Sequence, residues 1–151
     1  MKKFLLFGLM MTSISASTFT YPPQWFSTWS EAVQQSALSD KPILMVFSGS
    51  DWCKPCMILE KTVFDAPDFQ AYATQHLVLL KVDFPRQKKN RLPEIQRQHN
   101  EGLAAKYNPN GEFPFLLLLN ASGDLLSKVN QSPTSSLDFI CQIQHLFPGN
   151  E

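Results

Sequence analysis

With 151 residues and 44% hydrophobic content, the chain is long enough for one domain with its own core and too short to expect two. Its 13 basic residues are balanced by 13 acidic ones, so bulk charge offers no field to hold nucleic acid or an anionic membrane surface. Three cysteines do not make a disulfide framework, which needs an even set spread through a small loop-rich domain.

The chain opens like an export leader: Lys2 and Lys3 precede an apolar run from Phe4 to Met11 and then a Thr/Ser/Ala stretch. Cleavage is expected near Ala16 or Ser17, which assigns residues 1–17 to a signal peptide and residues 18–151 to one domain. The apolar run falls short of the roughly 20 residues a membrane span needs. An uncleaved anchor is the alternative, since Ile14-x-Ala16 is an acceptable but not decisive cleavage site. Losing Lys2 and Lys3 leaves a slightly acidic mature chain.

From Trp25 to Leu38 apolar residues recur at three- and four-residue steps, which predicts an amphipathic helix that Pro22 and Pro23 bar from starting earlier. Pro42 to Phe47 is short and almost wholly apolar, as suits a central parallel strand buried on both faces. A second helix is expected to begin close to Cys53 and to set Met57, Ile58, Lys61, Thr62 and Phe64 along one side. Pro67 in a first turn, followed by Phe69, Tyr72 and Ala73, predicts a short further helix, and His76 to Phe84 a strand.

Between Pro85 and Pro93 the composition turns polar. The basic run Arg86, Lys88, Lys89 and Arg91, broken by Asn90, reads there as a solvated loop rather than a phosphate-binding patch, and no function attaches to it. Ile95, Leu103, Ala104, Ala105 and Tyr107 suggest a helix ending before Asn108-Pro109-Asn110-Gly111. Phe113 to Leu119 and Asp124 to Val129 form a hairpin pattern around Asn120-Ala121-Ser122-Gly123. Ser132 is positioned to cap a last helix with Pro133 at its first residue and Leu137, Ile140, Cys141, Ile143, Gln144 and Phe147 as its inward stripe. Strands alternating with helices and closing in a hairpin imply an α/β fold, a central mixed β-sheet flanked by helices on both faces.

Chemistry concentrates in Cys53 and Cys56. A sulfur at a helix start lies where unpaired amides and the helix dipole favour an anion, so Cys53 is the expected nucleophile. Cys56, one turn further in, is shielded yet near enough to resolve a mixed disulfide. Pro55 is tolerated in a first turn, and Lys54 adds a positive charge that favours thiolate. Trp52 is either an amphipathic rim beside the sulfur or a packing residue. Zinc would want four ligands, and His76, His99 and His145 are too scattered to supply them, so no metal and no cofactor is expected. Cys141, alone on an apolar helix face, is expected to pack in the core.

The segments Ser48-Gly49-Ser50-Asp51-Trp52-Cys53-Lys54-Pro55-Cys56, Val82-Asp83-Phe84-Pro85 and Gly111-Glu112-Phe113-Pro114 resemble the thioredoxin superfamily in order and spacing, over roughly Trp25 to Phe147. Within it the chain looks most like exported thioredoxin-like proteins of the bacterial DsbH type. The resemblance implies a thioredoxin-like domain and a periplasmic thiol–disulfide oxidoreductase that reduces exported disulfide-containing proteins. It further implies a membrane or periplasmic thiol as electron donor and, in this reading, a monomer. Pro114 becomes the cis-proline facing the sulfurs, with Phe113 setting the surface beside it. The stretch Met45-Val46-Phe47 lacks the buried acid that many thioredoxins carry before the motif, which leaves Asp51, Glu60 or water to handle the proton of the resolving cysteine. Isomerase and oxidase directions remain open, as does a non-catalytic module that captures a soft metal or senses oxidants.

Overall fold

Ile43 to Ser48 is a run of six residues, all buried, and such a strand needs cover on both sides. The computed structural model, which describes residues 22–129, 133 and 135–148, supplies that cover with helices on each face of one sheet. In chain order the elements are β1 (Trp25–Phe26), α1 (Trp29–Ser39), β2 (Ile43–Ser48), α2 (Lys54–Leu59), α3 (Pro67–His76) and β3 (Val78–Asp83). They are followed by α4 (Glu94–Tyr107), β4 (Phe115–Leu119), β5 (Leu125–Val129) and α5 (Ser136–Leu146). A π-helical turn, Glu60–Phe64, continues α2, and a short 3-10 turn, Lys88–Asn90, interrupts the polar loop after β3.

The five strands lie in the order β1-β3-β2-β4-β5. β2 pairs parallel with β3 and antiparallel with β4, so the sheet is mixed and β2 runs down its centre. Period-two alternation then sorts the core. Leu44 and Val46 of β2, Leu79 of β3 and Leu116 and Leu118 of β4 pack against α2, α3 and α5. Their neighbours Ile43, Met45, Phe47, Val78, Leu80, Val82, Leu117 and Leu119 pack against α1 and α4. One consequence bears on the site: Lys81, registered with Val46, belongs to the α2 side of the sheet.

Several sequence expectations change. The segment Trp25–Leu38 is not one helix: Trp25 and Phe26 pair parallel with Leu79 and Leu80, and α1 starts only at Trp29, where the Thr28 side chain caps it by accepting from the Glu31 amide. On α2 and its π-helical continuation Leu59, Val63 and Phe64 face the core, whereas Met57 and Ile58 are exposed, as are Lys61 and Thr62. Ile95 is 84% exposed and does not anchor α4, which Leu103 and the buried Asn100 hold instead.

Helix α5 is phased differently from the expected stripe. Phe139, Ile140 and Ile143 point inward, with the Phe139 ring set against Phe64 and Phe69, so Leu137, Cys141 and Gln144 turn to solvent. Cys141 is therefore an exposed free thiol and not a core residue. The cap of α5 is Ser135, which accepts from the Asp138 amide, so Pro133 lies upstream of the helix rather than at its first residue. Ser132 and the whole proposed leader lie outside the described residues.

Candidate active site

The C-terminal end of β2 delivers the chain into Gly49-Ser50-Asp51-Trp52 and then into α2. Cys53 is the N-cap of α2, with extended backbone, and Pro55 sits in the first turn where its missing N–H costs nothing. Cys53 and Cys56 are joined by a disulfide, and the Cys56 amide donates to Cys53 Sγ at 3.3 Å. Both cysteines are only 4% exposed in this oxidised state, so the attacking sulfur is less open than its helix-start position suggests. Lys54 and Pro55 form the exposed crest over the pair.

Trp52 is locked from several sides. Its indole Nε1–H donates to the Phe84 carbonyl at 2.7 Å, and its ring meets Phe113 edge-on at 5.3 Å. The Arg86 guanidinium lies over the same ring, 3.6 Å from its centre. Phe113 in turn meets Phe84 edge-on, and Phe113 is followed by the buried Pro114 through a cis peptide bond. Thus Trp52 and Phe113, far apart in sequence, share one aromatic surface.

Gly49 is the residue that makes this packing possible. A Cβ there would lie 2.3 Å from the Trp52 ring, nearer than atoms approach without something moving. Gly49→Ala is expected to displace the indole from Phe84 and to destabilise the fold by about 1–3 kcal/mol. Urea unfolding together with the NMR shift of the Trp52 indole N–H checks this; wild-type values for both would refute it.

Two carboxylates frame the loop. Ser50 donates from its amide and its hydroxyl to the two oxygens of Asp83, at 2.9 and 2.6 Å. Asp51 accepts from the Arg86 and Gln87 amides and from Asn90 Nδ2, each at 2.9 Å. The Arg86 amide bond is the main reason the Asp51 carboxyl is held below its ordinary range. A carboxyl with a depressed folded pKa contributes stability above its ordinary value and loses it as pH falls through the depressed one, so the clamp on the 86–90 loop loosens only in acid. Asp51 is thus a structural anchor whose carboxylate oxygens are taken up by the 86–90 loop.

Glu60 has different surroundings. It stands one helical turn beyond Cys56, and its backbone N–H donates to the Cys56 carbonyl. Both carboxylate oxygens receive Lys81 Nζ at 2.7 Å. A cleft of about 500 Å³ is lined by Cys56, Met57, Glu60 and Lys81 together with Ser48 and Ser50. No acid stands on β2 itself; Val46 occupies the position registered with Lys81, and the carboxylate arrives from the helix.

Of the residues singled out from the sequence, Trp52, directly before the Cys53-Lys54-Pro55-Cys56 run, meets Phe113, directly before the cis Pro114, so the two segments come together through that ring contact. Not visible from the sequence were the roles of Gly49, Asp83, Lys81 and Arg86 around it. Only Gly49 carried a hint, as a glycine directly after a strand.

Residues 24–121 match the profile of a thioredoxin-like family. The chain is 36% identical over 121 residues to the disulfide bond reductase DsbH of Chlamydia pneumoniae, covering 80% of this chain and 70% of that protein. It is 30% identical over 125 residues to the thioredoxin-related protein DsbJ of Chlamydia pneumoniae, of which it spans 34%. A solved structure of a DsbH oxidoreductase superimposes with a TM-score of 0.79 at 28% identity, covering 93% of this chain and 96% of that one.

Proposed function

The chain belongs to the thioredoxin-like family and is a thiol–disulfide oxidoreductase; from that premise we propose that it works in the reducing direction, on disulfides of exported proteins. The observation that carries this reading is the Cys53–Cys56 disulfide at the cap of α2, with the Cys56 amide aimed at Cys53 Sγ. In the reduced protein the same amide, the helix start and Lys54 favour a thiolate on Cys53.

Cys53 attacks one sulfur of the substrate disulfide, forming a mixed disulfide and expelling the other substrate sulfur as a thiolate. Cys56, once deprotonated, attacks Cys53, releases the second substrate thiolate and restores the Cys53–Cys56 disulfide. Two electrons and two protons pass to the substrate, and a membrane or periplasmic thiol donor returns them to the pair. Trp52, Lys54, Pro55, Phe113 and Pro114 would line the approach of the substrate, which the shared Trp52–Phe113 surface supports. Glu60 would accept the Cys56 proton through water in the cleft they both line. Residues 1–17 would export the chain and be removed, leaving residues 18–151 to act as a periplasmic monomer.

The test combines two measurements on the mature chain. Turnover of insulin disulfides with dithiothreitol as donor should depend on the pair, and a glutathione or dithiothreitol redox titration should give a potential near that of reductases, about −270 mV, rather than the about −120 mV of a strong oxidant. A potential at the oxidising end would reverse the direction. Stoichiometric bound metal without turnover would replace the enzyme with a binding module.

A further inference from the structure

The basic run after β3, unremarkable as sequence, is held against the sulfur-bearing loop. Asp51, two residues before Cys53, fixes the Arg86 and Gln87 amides and the Asn90 side chain, so the run is tied to the site across more than thirty residues of sequence. Between this loop and α4 opens a cleft of about 540 Å³ whose lining includes Trp52, Phe84 and Phe113 as an aromatic floor and Arg86, Lys88 and Arg91 as a basic rim. Trp52 directly precedes Cys53 and meets Phe113, which meets Phe84, so the floor begins at the residue before the first cysteine.

The charges around the cleft are unevenly matched. Arg97, which also lines it, is committed to Glu94 and Glu101, and Asp83 to Ser50. Asp51 is committed to the loop it clamps. Arg86 is spread over the Trp52 ring, and no ion pair within 4.0 Å forms at Arg86, Lys88 or Arg91 among the described residues, although Arg91 is near enough to Glu94 to favour its charged form. Three cations thus rim an aromatic-floored cleft next to a disulfide, in a chain of zero formal net charge.

We propose that this cleft is a charge-selective extension of the substrate site that takes an acidic stretch of polypeptide flanking the disulfide under attack. The proposal rests on the reductase reading above. An extended chain advances about 3.3–3.6 Å per residue, so a few residues beside the reacting cysteine are enough to reach across such a cleft. An aromatic floor accepts side chains, and the rim pairs with carboxylates, which chiefly raises the rate of productive encounter and makes it sensitive to salt.

The experiment compares disulfide-linked homodimers of Ac-Asp-Asp-Phe-Cys-Gly-Asp-Asp-NH2 with the same peptide carrying Asn for every Asp. Each is reacted with the reduced mature chain in stopped flow. The acidic dimer should react about tenfold faster at low ionic strength and no more than about threefold faster in 0.5 M salt. In the Lys88→Gln/Arg91→Gln double variant the acidic-to-neutral ratio should fall to within about twofold. Arg86 is left intact because it also packs on Trp52.

Equal rates for the two dimers in the wild-type protein, or an undiminished ratio in the double variant, would overturn the proposal while leaving the reductase intact. Calorimetric titration of the oxidised chain with the Ser-for-Cys forms of both peptides reads the cleft without turnover. Selective binding of the acidic form with no reduction of either dimer would overturn the reductase reading instead. Displacement of the acidic peptide by inorganic phosphate at matched charge would reduce the cleft to a general anion site and overturn the assignment to polypeptide.

Discussion

Cys53→Ser is expected to lose insulin reduction by roughly a thousandfold or more, because a serine hydroxyl is not ionised at neutral pH and cannot form the mixed disulfide. Cys56→Ser should fail differently. With Cys53 free, its sulfur still attacks, but the atom that would release the substrate is gone, so a covalent adduct accumulates and turnover stops after one round. Mass spectrometry under non-reducing conditions distinguishes the two variants directly. An adduct should be seen with Cys56→Ser and not with Cys53→Ser. Adducts forming on Cys56 while Cys53→Ser stays active would exchange the two roles.

The asymmetry has a physical basis in the oxidised structure. Cys53 caps α2 and receives the Cys56 amide, whereas Cys56 lies within the helix, one turn from a carboxylate. Both cysteines are only 4% exposed, so on the proposed reading a substrate would come in over the crest of Lys54 and Pro55 and along Trp52 and Phe113. Cys141 is no competitor in kind, since it stands alone on the outer face of α5, yet its exposure means that the adduct experiment should locate the labelled cysteine by peptide mapping.

What could be understood before the structure was mostly local. Apolar runs identify β2 and β4, since no other short element keeps every residue buried, and a Cys-x-x-Cys pair ahead of a helical pattern marks the site. A two-residue strand such as β1 has no period to detect; Trp25 and Phe26 are strand only because β3 offers them an edge. Helix α5 carries apolar residues on two overlapping stripes, and the choice between them is made by Phe139 fitting between Phe64 and Phe69, a tertiary event. The same limit hid the contacts around the site. Asp51 and Arg86, or Glu60 and Lys81, meet only because β2 and β3 run side by side and bring their C-terminal ends together.

Glu60→Gln is expected to slow the resolving step by about tenfold to a hundredfold, in the range that a positioned acid–base group contributes. The variant keeps the size of the side chain and one oxygen for Lys81 Nζ, while it removes the ability to take up a proton together with the charge that pairs with Lys81, so Glu60→Asp serves as the charged control. Asp51 and Asp83 are consumed by the loop contacts they make, and of Glu60 and Asp65, which both line the Cys56 cleft, Glu60 is the one a single helical turn from Cys56. Its side chain is 35% exposed and that of Lys81 27%, so a proton received there can leave to solvent without crossing the core. Pre-forming the mixed disulfide and following its collapse isolates this step from the attack by Cys53. Glu60→Gln should slow that collapse and leave the attack by Cys53 at the wild-type rate, and Glu60→Asp should recover part of the loss. A loss that strikes attack and resolution equally, or a collapse at the wild-type rate, would mean that Glu60 and Lys81 serve only to tie the π-helical turn to β3, and that water alone carries the proton.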